Sequence, residues 1–347
     1  MKNQWMYFAW IFIGTMNSIT GQEANPMEPA STIGSLKLSD GSTYFGQTEA
    51  GQMSGIGTQY FKDGKHRTGY FQDNTYLADF IATPPWHMVG LYFTLDQSYE
   101  METFSVDLKV LSDVPDDLHL YISPFGGGRI NETSFYGGIQ TQCGGYHSVM
   151  GEQNYGPFIP LGRAMIFSRW GNREASAIDM AAGGVCESSG YEGDFISVRN
   201  SLKWKKGTYT LTLKKTELSV LLSSELHTRV ELQVYDHQKK QTFFCGSLAF
   251  PGTTLVLDPE NYLFFELYSK RVNINELPPM KFVCENYCVN GKPVPISFVA
   301  ANYDKNFPKY ADASYANGTF TVEIGKPSNK PVTEGETINF NILYSEE

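Results

Sequence analysis

Charge is scarce in this chain. Asp, Glu, Lys and Arg make up 18% of its 347 residues, too little for a coiled coil, a charged disordered chain or an Ala/Leu/Glu/Lys helical bundle. No long segment carries an apolar stripe at helical spacing between caps. Beyond Met16 no apolar run reaches the ~20 residues of a membrane-spanning helix. His66, His87, His119, His147, His227 and His237 are scattered and form neither a His-x-x-x-His pair nor a His-Glu-x-x-His motif. Ser168 stands in Phe-Ser-Arg-Trp, outside any Gly-x-Ser-x-Gly elbow, which argues against a hydrolase serine. The net charge of −10 repels phosphate backbones at long range, so nucleic acid is not an expected partner. No constellation of catalytic residues emerges.

What is abundant is Tyr (21), Phe (23) and Gly (33), the composition of aromatic, glycine-punctuated β-structure. Near the N-terminus, Lys2 precedes an apolar run from Trp5 to Met16, and a polar stretch of small residues ends at Gly21. That run is too short to span a ~30 Å hydrocarbon core. It predicts a secretory signal peptide over residues 1–21, cleaved near Gly21 or Ala24. The mature protein is therefore expected to be extracellular, with no transmembrane span. Two acceptor sequons, Asn131-Glu132-Thr133 and Asn317-Gly318-Thr319, point the same way as candidate glycosylation sites. In an oxidising compartment four of the five cysteines (Cys143, Cys186, Cys245, Cys284, Cys288) can pair. Cys143 with Cys186 and Cys284 with Cys288 are the candidate disulfides. Zinc is disfavoured, because the Cys284/Cys288 pair lacks a second pair at finger spacing.

Residues 22–39 read as a flexible polar lead. Across 40–78, Asp40-Gly41 recurs as Asp63-Gly64 and Gly46 as Gly69, each offset by 23, with Tyr44, Phe45, Tyr60, Phe61, Tyr70 and Phe71 between them. Asp-Gly turns with paired aromatics predict tight β-hairpins. Asp40 to Lys62, and part of a second unit to about Asn74, resemble the membrane occupation and recognition nexus (MORN) repeat. So few copies cannot bury a continuous core, so they are expected to dock on the next domain. Residues 84–270 read as an antiparallel β-sandwich of jelly-roll or lectin type. Candidate strands are Val89 to Leu95, Thr103 to Leu111, Leu118 to Ile122, Phe135 to Gln140, Arg163 to Ser168, Gly207 to Leu213 and Thr228 to Tyr235. Residues 271–347 are expected to extend those sheets or to form a small β-rich module.

The densest stretch holds Tyr136-Gly137-Gly138-Ile139-Gln140, Phe167-Ser168-Arg169-Trp170, Gly190-Tyr191-Glu192-Gly193 and Trp204-Lys205-Lys206-Gly207-Thr208-Tyr209. This ordered set resembles the family called domain of unknown function 3472, over about residues 85–240. The resemblance implies a β-sandwich of exported proteins with no settled activity.

Glycan recognition stacks aromatic faces on sugar C–H surfaces and sets amides and carboxylates on the hydroxyls. Tyr136, Gln140, Tyr146, Trp170, Glu192 and Asp194 offer those groups within one segment. Trp170 and Trp204 can instead fill the core. Glu192 and Asp194 can also hold calcium through oxygen ligands, or supply the carboxylates of a carbohydrate-active hydrolase. The expected function is a non-enzymatic module binding glycans or an extracellular partner. A hydrolase and a structural extracellular protein are the alternatives.

Overall fold

The structure, a computed structural model, describes residues 32–191, 193–303 and 309–328, together with the backbone of the strand Thr337–Phe340. The expected signal peptide, residues 22–31 of the lead, and Glu192 lie outside the described residues.

Period-two alternation drives most of the chain into strands. In Thr103–Val110, Phe104, Val106, Leu108 and Val110 are buried between half-exposed neighbours. Gly207–Leu222 and Glu225–Asp236 repeat the pattern with Tyr209, Leu211 and Leu213, and with Val230, Leu232 and Val234. Successive side chains point to opposite faces, so each strand lays one apolar row on a core. Helical structure among the described residues is confined to the single turns Ala175–Ala177 and Ile274–Glu276. No helix among them is long and apolar enough to cross a membrane. The protein is all-β, as its composition predicts.

Three large antiparallel sheets result. A five-stranded meander holds residues 32–79. An eleven-stranded sheet runs in the order Gln153–Trp170, Phe195–Ser201, Val185–Ser189, Thr133–Met150, Leu120–Ile130, Glu260–Leu267, Trp86–Leu95, Ile296–Tyr303 and Thr337–Phe340, with two short strands at its side. A nine-stranded sheet runs from Ile178–Met180 through Gln241–Pro251, Glu225–Asp236, Gly207–Leu222, Thr103–Val110, Met280–Val289 and Thr319–Ile324 to Ala311–Ala316, with Lys292–Pro293 beside it.

The eleven- and nine-stranded sheets share one core. Rings from the two sheets meet at Phe125 and Phe104 (5.0 Å), Phe265 and Phe282 (5.1 Å), Phe93 and Phe320 (5.3 Å), and Phe167 and Phe250 (6.1 Å). Each fully buried Phe stabilises by about 1.5–3 kcal/mol, so these contacts join the layers strongly. The segment 271–347 contributes to both layers. Met280–Val289 pairs with Thr103–Val110, and Ile296–Tyr303 pairs with Trp86–Leu95. Its described strands therefore extend the main sheets.

The lead differs from expectation, because its last residues, Thr32–Lys37, form an edge strand paired with Thr43–Glu49. The meander buries only Tyr44, Met53 and Phe71 as its own core, too few for independent stability. It docks on the main body through Asn275. The Asn275 side chain accepts from the Thr68 amide (2.7 Å) and donates to the Thr68 carbonyl (2.8 Å). The Thr68 hydroxyl lies 2.8 Å from the Tyr310 hydroxyl.

The expected disulfides are absent, and all five cysteines are free thiols. Cys284 and Cys288 share one strand, with a bulge between Glu285 and Cys288. Cys284 and Tyr287 face the core, which turns the half-exposed Cys288 to the other face. Cys186 is the register partner of Tyr146 rather than of Cys143, which puts Cys143 roughly 10 Å down the strand at ~3.3 Å per residue. A disulfide needs Cα atoms within about 7 Å and converging Cβ vectors. Thiol titration without reductant should count five groups in denaturant and one, Cys288, in the native protein. A count of one or three in denaturant would contradict this arrangement.

The two sequons differ in setting. The Asn131 amide donates to the Pro251 (2.6 Å) and Thr254 (2.8 Å) carbonyls, and its oxygen accepts from the Val256 amide. Asn317 sits exposed at the tip of the hairpin between Ala311–Ala316 and Thr319–Ile324.

Candidate functional site

The outer face of the eleven-stranded sheet carries an unusual load of rings. In Gln153–Trp170, Met165 and Phe167 point into the core, so Ile166, Ser168 and Trp170 point out. The same parity turns Tyr121, Tyr136, Phe195, Ser197, Tyr262, Phe264 and Glu266 outward, because Ile122, Phe135, Ile196, Leu263 and Phe265 face in. Tyr121, Ile166 and Phe264 form a second apolar cluster, separate from the core, with Tyr136, Tyr262 and Tyr268 packed around it.

These rings form an unbroken series. Centroid separations run Tyr92 to Tyr262 4.5 Å, Tyr262 to Phe264 5.8 Å, and Phe264 to Tyr121 5.1 Å. They continue from Tyr121 to Tyr136 at 6.3 Å, Tyr136 to Trp170 at 6.0 Å, Trp170 to Phe195 at 5.6 Å, and Phe195 to Tyr191 at 5.4 Å. The strands from Trp86–Leu95 to Phe195–Ser201 that carry this series are each hydrogen-bonded to the next. At ~4.8 Å per strand spacing, the series spans about 24 Å.

Glycines let the strands and rings approach. A Cβ on Gly138 would lie 2.1 Å from the Ile122 carbonyl oxygen, and one on Gly90 would meet the Tyr262 ring. Gly90 and Gly138 thus lie in strands, as expected for Val89 to Leu95 and Phe135 to Gln140, and glycine there permits close packing.

Polar groups lie beneath the rings. Ser168 and Ser197 are register partners, and Tyr136 pairs with Ser168 on the other side. Both serine hydroxyls are fully buried and have no hydrogen-bond partner among the described residues. Each such group costs about 1–3 kcal/mol. On one flank Glu266 lies 3.4 Å from His87 Nε2, and burial holds the His87 imidazole down to about 4, neutral at pH 7. On the other flank Arg199 pairs with Glu187 and donates to the Gly144 carbonyl. Burial pulls the Arg199 guanidinium down, but Glu187, Cys143 and Tyr136 outweigh it and raise its pKa.

Trp170 also borders an open cleft of about 430 Å³ at the end of the two sheets. Arg169 shares the inward parity of Phe167 and lines this cleft. It is 3% exposed and lies 5.5 Å from the Phe250 ring centroid.

The structure brings Tyr136 and Trp170 together and leaves other expected residues apart. Gln140 is four residues along the same strand and buried, and its carbonyl accepts from the Trp204 indole at 2.9 Å. Trp204 is core, 1% exposed. Tyr146 packs on Phe158 (5.6 Å), ten residues from Tyr136 on one strand. Asp194 is exposed beside Trp170, with its carbonyl accepting from the Gly171 amide at 2.8 Å. Glu192 lies outside the described residues. No group of three His, Cys, Asp or Glu side chains able to hold a metal occurs among the described residues. Tyr92, Tyr121, Tyr262, Phe264, Phe195 and the two serines were not predicted. A legible signal was Tyr262-Leu263-Phe264-Phe265, which is apolar at both parities and so marks a strand covered on both faces.

No family model matches the chain, and no curated protein matches it. The two family resemblances therefore rest on the quoted motifs alone.

Proposed function

We propose that the protein is a secreted, non-enzymatic module that binds a glycan on the aromatic face of its eleven-stranded sheet. The observation that carries this reading is the continuous series of eight rings from Tyr92 to Tyr191, in which Tyr92, Tyr262, Tyr136, Trp170 and Tyr191 reach the surface and the buried Tyr121, Phe264 and Phe195 pack between them. Pyranose rings present flat C–H faces that stack on aromatic rings, and a linear glycan repeats those faces along its length. A span of about 24 Å accommodates several sugar units. The unpartnered Ser168 and Ser197 hydroxyls supply hydrogen-bonding capacity that a sugar hydroxyl satisfies once Tyr136 and Trp170 shift to admit it. The lectin-type sandwich and the export suggested by the motifs belong to this reading.

A glycan-array screen of the mature protein, with and without calcium and beside Trp170→Ala, tests it. The expected result is a specific, saturable signal that falls at least tenfold in the folded variant, in line with loss of a central aromatic anchor. A blank array from folded protein, or a signal indifferent to Trp170→Ala, would sink the proposal. Calcium dependence would place acidic ligands such as Asp194 in the site.

A further inference from the structure

Among the described residues Arg169 is a buried cation without a counter-ion. Its Nε donates to the Trp170 carbonyl (3.2 Å) and its Nη1 to the Ala249 carbonyl. Its Nη2 has no hydrogen bond among the described residues, and no carboxylate there lies within ion-pair distance. Burial alone pulls its guanidinium down to about 10, so it is charged at pH 7. By contrast, Arg199, a largely buried arginine near this face, has Glu187. A buried charge with no opposite charge is costly. Here the charge opens onto a cleft that also borders Trp170, the sixth of the eight rings in the aromatic series.

We infer that the cleft holding Arg169 is an oxyanion subsite, which accepts a carboxylate or sulfate on the terminal sugar of the glycan stacked on Trp170. This rests on the glycan reading and deepens it. Guanidinium N–H groups match the two oxygens of such an anion in charge and geometry, and these bonds are about twice as strong as neutral ones. Ser134, Asn172 and Ser223 line the same cleft and can donate to the remaining oxygens. The surroundings also limit the ligand. Glu132 and Glu225 line the cleft, and His227 is the other titratable group there. Two carboxylates and a chain charge of −10 oppose a dense polyanion, so the subsite selects one isolated acidic group at a chain end. Screening over ~8–10 Å at physiological salt keeps the attraction local.

The test uses the full chain and short oligosaccharides that end in a uronate or a sulfated sugar, each beside its carboxyl-reduced or desulfated counterpart. Binding is followed calorimetrically. At least one acidic compound should bind about tenfold more tightly than its neutral counterpart, and the carboxylate and sulfate arms identify which oxyanion is preferred. Arg169→Gln should bring each pair within about twofold while leaving binding of the neutral compound in place. Ser223→Asp places a carboxylate in the cleft at an exposed turn position whose φ of 48° Asp tolerates. It should remove the acidic preference even if Arg169→Gln does not fold. Equal binding of acidic and neutral partners, or a preference that survives both substitutions, would overturn the oxyanion subsite and leave the aromatic glycan site standing. Absence of binding by either class would overturn the glycan reading and this one with it.

Discussion

Gly138→Ala should lower the stability of the protein by more than about 3 kcal/mol, whereas Gly137→Ala should change it by less than about 1 kcal/mol. The two glycines are adjacent in Tyr136-Gly137-Gly138-Ile139-Gln140, so composition and propensity treat them alike. Their surroundings do not. A Cβ at Gly138 would stand 2.1 Å from the Ile122 carbonyl oxygen and 2.8 Å from the Ser123 Cα, both backbone atoms of the neighbouring strand. Backbone in the middle of a sheet cannot step aside without breaking the register Ile122↔Ile139 and Tyr121↔Gln140. A Cβ at Gly137 would come no closer than 3.4 Å to any atom, beside the Phe167 ring, with Leu232 at 3.9 Å. That is ordinary core contact, and the added methyl also narrows the unfolded ensemble. Midpoints of denaturant unfolding at constant m-value measure the difference. Equal effects would show that the two strands do not approach as described. The same approach places Tyr121 within 6.3 Å of Tyr136, so Gly138 is a structural precondition of the aromatic face.

Tyr136→Ala should weaken glycan binding by about 10- to 100-fold, the range of a central interface anchor, with the fold intact. Tyr136 is half-buried and stands between Tyr121 and Trp170 in the ring series. Its removal therefore interrupts the platform at its middle. It also uncovers the Ser168 and Ser197 hydroxyls to water, which offsets part of the stability lost with the ring. Tyr136→Phe keeps the stacking face and should bind within a few-fold of the original. Tyr146→Ala supplies the contrast. Tyr146 packs on Phe158, roughly 30 Å along the strand from Tyr136 at ~3.3 Å per residue, and its loss should leave affinity unchanged. Near-UV circular dichroism checks that each variant keeps its packing. A Tyr136→Ala protein that binds normally would remove the aromatic face from the account.

The class of fold was legible because alternation is local. Thr103–Val110 states its buried row within eight residues. Thr32–Lys37 was not legible, because an edge strand with four of its six residues exposed and none buried carries no such row. The glycine-rich stretch from Cys143 to Gly162 falls outside the candidate strands Phe135 to Gln140 and Arg163 to Ser168 for a related reason. Glycine usually marks turns, whereas here it permits strands and rings to pack closely. The disulfide expectation followed from compartment and number, neither of which carries geometry. Parity set by the bulge before Cys288 decides the Cys284 pair. The site was legible only where its parts are near in sequence. Tyr136 and Trp170 belong to one hairpin. Tyr92, Tyr262 and Phe264 lie more than 40 residues from that hairpin in sequence. Nothing in Phe167-Ser168-Arg169-Trp170 marks Arg169 as buried, and only its inward parity reveals a buried charge.

Hydroxyl-radical footprinting of the full chain, free and saturated with an oligosaccharide that scores on the array, tests whether the aromatic face binds glycan. Binding on the aromatic face should reduce modification at Tyr136, Trp170, Tyr262 and Tyr191, with Tyr70 on the N-terminal sheet and Tyr155 on the far hairpin unchanged. Protection confined to the N-terminal sheet or to the far hairpin, or an array on which no glycan scores, would contradict it.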